Sequence, residues 1–176
     1  EQGYRGEGMT IAVLDGGFAE VDRKRVFQDI KIKGTRDFVF PASANFYNET
    51  DHGTKVLSAM AVNAPNVYIG TAPKATYWLL RCEDQQSEQP VEEDYWAMAA
   101  EFADSVGVDV INSSLGYYEY DNHYGDHPLW HLDGHTTLIS RTASMLADKG
   151  IILVNSAGNN GMGPWKKITF PADAQD

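Results

Sequence analysis

Three side chains of contrasting chemistry stand where apolar runs give way to glycine. Asp15 closes Thr10-Ile11-Ala12-Val13-Leu14 and is followed by Gly16 and Gly17. His52 lies 37 positions downstream, in Asp51-His52-Gly53-Thr54. Asn159 sits in Asn155-Ser156-Ala157-Gly158-Asn159-Asn160-Gly161, directly after Ile151-Ile152-Leu153-Val154. An ionised carboxylate can orient an imidazole, the imidazole can move protons near neutral pH, and a side-chain amide can donate to a carbonyl oxygen that gathers negative charge. These are parts of an acyl-transfer machinery with the nucleophile unassigned. Each alone is a weak sign, because strand-end aspartates commonly cap turns and a histidine at a helix entrance often has no catalytic task.

The elements that must position these residues follow from periodicity. Short apolar runs at residues 9–14, 37–40, 75–80, 108–112 and 151–154 read as strands, the last as a buried one. Val56, Leu57, Met60 and Ala61 fall at helical spacing within residues 53–63, which places His52 at a helix entrance. A helix of about 15 residues carries Tyr95, Met98, Ala99, Phe102, Ala103 and Val106 on one face. Residues 137–149 form a third helix, stopped by Gly150. This alternation predicts parallel βαβ units in one α/β domain over residues 1–176, with no internal repeat. In an open parallel sheet, ligands sit beyond the carboxyl ends of the strands. Asp15-Gly16-Gly17, Ser113-Ser114-Leu115-Gly116 and Ala157-Gly158-Asn159-Asn160 should therefore converge on one edge.

Composition narrows the partners. With 25 acidic and 14 basic residues the net charge is -11, which argues against nucleic acid and against an anionic membrane surface. The 43% hydrophobic content suits a packed core, and no apolar run reaches membrane-spanning length. The single cysteine, Cys82, excludes an internal disulfide and leaves the compartment open. The opening residues Glu1-Gln2-Gly3-Tyr4-Arg5 lack the features of a signal peptide.

Four segments, in order, resemble a known family. "TIAVLDGGF" is similar to the block of the subtilisin-like serine peptidases (subtilases) that holds the catalytic Asp, and "DHGTKVLSAM" to the His block. "INSSLGY" resembles the substrate-binding strand, and "GIILVNSAGNNG" the block of the oxyanion Asn. The resemblance implies a three-layer, open, mostly parallel sheet with helices on both faces. It implies Asp15 as the orienting carboxylate, His52 as general base and acid, and Asn159 as the oxyanion donor. Ser114, Leu115 and Gly116 would pair with substrate backbone along one side of the cleft, and Ala157 and Gly158 would line the opposite wall of the primary specificity pocket. A polypeptide substrate, a secreted or cell-surface location and no cofactor for the chemistry are implied as well.

Two departures qualify the match. The family has Ser or Thr after its Asp where this chain has Gly16, so backbone N–H groups are expected to take over that hydrogen bond. The nucleophilic Ser belongs to a Gly-Thr-Ser-Met-Ala-like helix entrance downstream, in the chain order Asp, His, Ser, and no such segment occurs here. The expectation is a chain holding roughly the first half to two-thirds of a catalytic domain, its C-terminal part missing. By itself such a chain would be an inactive or binding fragment.

Rival readings start from other residues. Asp15-Gly16-Gly17 also resembles an aspartic-peptidase half-site, but that class needs an all-β setting and a partner Asp, and the helical periodicity opposes it. Cys82 ends an apolar run and reads as an inert core or boundary thiol. His123, His127, His131 and His135 are spaced by four and could share a metal on a helix; Gly125, Pro128 and Gly134 interrupt that helix, so a solvated surface loop is expected and no metal ligand is assigned. Calcium suits the acidic balance, although Asn63-Ala64-Pro65-Asn66 is shorter than the family's calcium loop.

Overall fold

The computed structural model describes residues 3–175, so Glu1, Gln2 and Asp176, which the expected domain includes, lie outside the described residues. Its centre is a five-stranded parallel sheet formed by β1 (Thr10–Asp15), β2 (Lys31–Asp37), β5 (Thr76–Arg81), β6 (Val110–Ser113) and β7 (Ile152–Asn155), in the order β2-β5-β1-β6-β7. A separate two-stranded hairpin pairs β3 (Asn63–Ala64) with β4 (Tyr68–Ile69). The helices are α1 (His52–Ala61), α2 (Val91–Ser105) and α3 (Leu138–Asp148).

β1 is buried on both faces because it lies between two other strands and under helices on each side. Ile11 and Val13 join Leu57 of α1 in one apolar cluster, while Ala12 and Leu14 join Trp96 of α2 and Ile139 of α3 in the other. This period-two division is what a central strand of a three-layer fold requires. The sheet thus has helices on both faces, as expected.

Three expectations are corrected. The strand expected at residues 37–40 instead ends at Asp37. Its carboxylate accepts N–H bonds from Val39 at 2.9 Å and Phe40 at 2.8 Å, which turns the chain out of the sheet. The true strand, Lys31-Ile32-Lys33-Gly34-Thr35-Arg36-Asp37, lies at a sheet edge and carries too many charges for an apolar pattern to mark it. The run expected to be a buried strand, β7, forms the other edge, with Ile152 61% and Val154 53% exposed. α3 covers only its other side, where Ile151 and Leu153 pack with Leu146. The predicted face of α2 is also rotated: Met98 is exposed, and Trp96, Ala99, Ala100 and Ala103 are fully buried. Trp96 fits because its indole Nε1–H donates to Ser113 Oγ at 2.9 Å.

α3 follows the sequence signals closely. Thr137 Oγ1 accepts from the Ser140 N–H at 3.1 Å as its N-cap, and Gly150 takes a left-handed φ of 76° just past its end.

Candidate active site

The parallel register sets the carboxyl ends of β1, β6 and β7 side by side, so the three glycine-bearing segments do converge on one edge. Asp15, the last residue of β1, is fully buried there. His52, the first residue of α1, presents Nδ1 at 2.9 Å from both Asp15 carboxylate oxygens. An ionised carboxylate only accepts, so the proton resides on Nδ1 and the lone pair of Nε2 is left free. Among the described residues no serine hydroxyl hydrogen-bonds His52.

Backbone holds the Asp15 turn as expected for a chain lacking the hydroxyl: the Gly16 N–H donates to Asp15 Oδ1 at 2.8 Å. Burial raises the Asp15 pKa above its ordinary value, and the His52 and Gly16 hydrogen bonds oppose that shift. Glu83, on the loop after β5, is pushed up to about 8 by burial, with Glu88, Glu92 and Asp15 adding like-charge repulsion.

The helix entrance is held by close packing. The Gly53 N–H donates to Gly17 O at 3.0 Å, and Thr54 Oγ1 donates to Ala19 O at 2.8 Å. A Cβ on Gly53 would stand 2.5 Å from Gly17 O and 2.8 Å from Asp15 Cβ, so only glycine lets α1 meet β1 this closely. Gly53→Ala is expected to cost about 1–3 kcal/mol of stability through overpacking. Urea unfolding checks this, and an unchanged midpoint would show that α1 can shift without loss.

The glycine-bearing segments after β6 and β7 also meet. The Ser156 N–H donates to Ser113 O at 2.9 Å, and Asn155 Nδ2 donates to Leu115 O at 3.4 Å. Ser114 and Gly116 are half-buried, Leu115 is buried, Ala157 is exposed, and Gly158 takes φ 84°. Asn159 is exposed on the loop beyond β7, ahead of a short turn at Asn160–Met162. Its neighbour Asn160 is engaged, donating from Nδ2 to Tyr118 Oη at 3.1 Å.

Sequence patterns did not single out Arg81, which is 1% exposed. Its Nε–H donates to Gly16 O at 2.9 Å and its Nη1 pairs with Asp37 at 3.1 Å, which fixes the turn that follows Asp15. An arginine closing the apolar run Thr76-Tyr77-Trp78-Leu79-Leu80 was the available signal.

The histidine loop differs from the expected solvated segment at His127 and His131, both half-buried, whose Nδ1 atoms lie 3.4 Å apart. His127 packs against Phe170 at 4.8 Å between ring centroids, and its Nε2 shares Glu93 Oε1 with Tyr120 Oη, which donates to the same oxygen. His123 and His135 are exposed as expected, and the region forms two separate turns, Asp121–His123 and Leu129–His131, rather than a helix. Glu119, His123 and Asp126 bring one ligand atom each within 4.8 Å of one another at the surface, with His123 Nδ1 at 3.3 Å from Glu119 Oε1 and 2.9 Å from Asp126 Oδ2. Cys82 is fully buried and its thiol pKa is pushed well up by burial, which suits an inert core thiol rather than a nucleophile. The helical layers and the Asp–His pairing exclude the aspartic-peptidase architecture.

Comparison with known proteins places this arrangement. The profile described as the Subtilase family matches residues 6–176. Subtilisin E of Bacillus subtilis (strain 168) is 28% identical over 177 residues, an alignment covering 97% of this chain and 40% of that protein. Subtilisin of Bacillus pumilus is 28% identical over 177 residues, covering 97% of this chain and 55% of that protein. Fervidolysin from Fervidobacterium pennivorans, a keratinolytic enzyme related to subtilisin, superposes with a TM-score of 0.67 at 20% identity, over 96% of this chain and 24% of that one, and supports the fold. The chain spans 40% of the length of Subtilisin E.

Proposed function

The chain belongs to the subtilase family, and from that premise we propose that the protein it forms part of is a serine endopeptidase of the subtilisin type. The observation that carries this reading is the buried Asp15 carboxylate holding His52 Nδ1 at 2.9 Å, which leaves Nε2 to take a proton from a nucleophile. In this reading Asp15 orients and supports the imidazolium, and His52 moves the proton from the attacking hydroxyl to the leaving amine. Asn159 donates to the oxyanion, Ser114, Leu115 and Gly116 pair with substrate backbone, and Ala157 and Gly158 line the pocket for the residue before the scissile bond. The substrate is a polypeptide, and the family points to a secreted or cell-surface enzyme. Among the described residues no helix is long and apolar enough to cross a membrane.

The nucleophilic serine is supplied from residues outside residues 1–176, which form part of one catalytic domain. Support comes from the chain's own serines, none of which hydrogen-bonds His52 among the described residues. The chemistry itself calls for no cofactor. At the β3–β4 hairpin Asn63 Oδ1 accepts from the Arg5 guanidinium at 3.1 Å, a bond that a calcium ion bound there would have to displace.

A serine-directed fluorophosphonate tests the assignment, since it labels only an activated hydroxyl. The 176-residue chain alone should stay unlabelled, and adding the remaining part of the protein should restore labelling that His52→Ala removes. Stoichiometric labelling of the isolated chain would mean that the nucleophile is misassigned. That same absence of a contacting serine supports the second reading, in which the chain by itself is an inactive or binding fragment with intact cleft walls.

Asn159 has its own test. In the complete protein, Asn159→Leu should lower kcat by about 10² to 10³, the size of effect that loss of such a donor has in subtilisin itself, with KM little changed. The hydrogen bond donated by the Asn159 side-chain amide strengthens mainly in the transition state, so an unchanged kcat would remove Asn159 from the mechanism.

A further inference from the structure

His127 and His131, four residues apart, have no task in the proposed peptide cleavage. No helix is needed to bring them together. The Leu129–His131 turn, entered through Pro128 and closed by the His131 N–H donating to Pro128 O at 3.0 Å, folds the chain back so that the two imidazoles meet. Their planes are inclined at 56° and their Nδ1 atoms stand 3.4 Å apart. That separation exceeds the range of about 2.7–3.2 Å usual for an N–H hydrogen bond to oxygen. It matches the distance of about 3.3–3.4 Å between two nitrogens that each lie about 2.0–2.1 Å from one tetrahedral zinc ion.

The protonation of His127 agrees with that geometry. Its Nε2 faces the buried Glu93 at Oε1, which also accepts from Tyr120 Oη. An ionised carboxylate only accepts, so the His127 proton resides on Nε2 and the Nδ1 lone pair is turned toward His131. A carboxylate behind one ring nitrogen fixes the tautomer and orientation of metal-binding histidines in this way. Both histidines line a pocket of about 440 Å³ together with Glu93, Asp94 and Thr136. The exposed Asp94 carboxylate and pocket water are the donors at hand for the remaining coordination positions. Imidazole nitrogens suit zinc, copper and nickel, whereas calcium and magnesium take oxygen ligands. The geometry points to a zinc site, held by His127 Nδ1 and His131 Nδ1 and oriented by Glu93, that ties the Leu129–His131 turn to the start of α2. The tie reaches the segment after Gly116, because the His127 N–H donates to Tyr118 O at 2.8 Å. The site uses neither Asp15 nor His52, and it stands whether or not the protein cleaves peptides.

The test uses the complete protein, stripped of metal by chelation and returned to a buffer of constant calcium concentration. After zinc addition and gel filtration, elemental analysis should find one zinc equivalent per chain that His131→Ala loses. The thermal midpoint should rise with zinc concentration in wild type and not in that variant. Cobalt in place of zinc should give a visible d–d spectrum that His131→Ala abolishes. Glu93→Gln, which keeps both ligands, should weaken zinc affinity about 10- to 100-fold. If Glu93→Gln fails to fold, the comparison of wild type with His131→Ala decides by itself. His123→Gln is the control for the surface group of Glu119, His123 and Asp126 and should leave zinc binding unchanged. No zinc bound by wild type, undiminished zinc in His131→Ala, or zinc lost through His123→Gln instead overturns the inference.

Discussion

Replacing His52 by alanine in the complete protein is expected to lower kcat by about 10⁶-fold, the effect of losing the same group in subtilisin, while KM stays within a few-fold. The imidazole is committed on one side, with Nδ1 at 2.9 Å from both oxygens of Asp15. Its Nε2 makes no hydrogen bond among the described residues. Alanine removes the proton acceptor without touching the segments at Ser114–Gly116 or Ala157–Gly158, so substrate binding should persist. Residual turnover would come from positioning and oxyanion donation alone. Single-turnover kinetics together with peptide binding check this, and a loss below about tenfold would mean that another group takes the proton.

The second large effect concerns Asp15. Asp15→Asn is expected to lower kcat by about 10⁴-fold, because an amide can present its NH₂ to Nδ1 and stabilise the tautomer that carries its proton on Nε2. Stability should move the other way. Burial raises the folded-state pKa of Asp15, so the ionised carboxylate costs stability above that raised value. The cost is lifted as pH falls through the raised pKa toward the ordinary aspartate range. The Asn variant should therefore be at least as stable as wild type at pH 8, and its advantage should shrink in acid. Urea unfolding at several pH values checks the direction. A variant that is less stable at pH 8 would show that the hydrogen bonds from His52 and Gly16 outweigh the burial cost.

Much of the fold was legible because local patterns report local burial. The apolar run before Asp15, the helical spacing after His52, and Thr137 with Gly150 around α3 each record a constraint satisfied within a few residues, and each element formed there. Edge strands were the exception. β2 lies at an edge and carries charges that hide it from an apolar pattern, whereas β7 is apolar yet leaves Ile152 and Val154 exposed, because α3 covers only its other side.

The site divides along the same line. Residues 1–176 alone specified an Asp at a strand end, a His at a helix entrance and an amide in a glycine-rich loop, since those are one-dimensional facts about residue type and neighbouring elements. Folding decided what touches them. Arg81 reaches Gly16 only because β5 and β1 are paired in register. His127 leaves the surface because Glu93, 34 positions away, offers a carboxylate beside Phe170. Thr169 packs between Gly116 and Gly158 because the next residue, Phe170, bridges to Tyr117. Sequence spacing carries no information about such meetings, as they depend on strand order and on the side-chain volume that glycine leaves free.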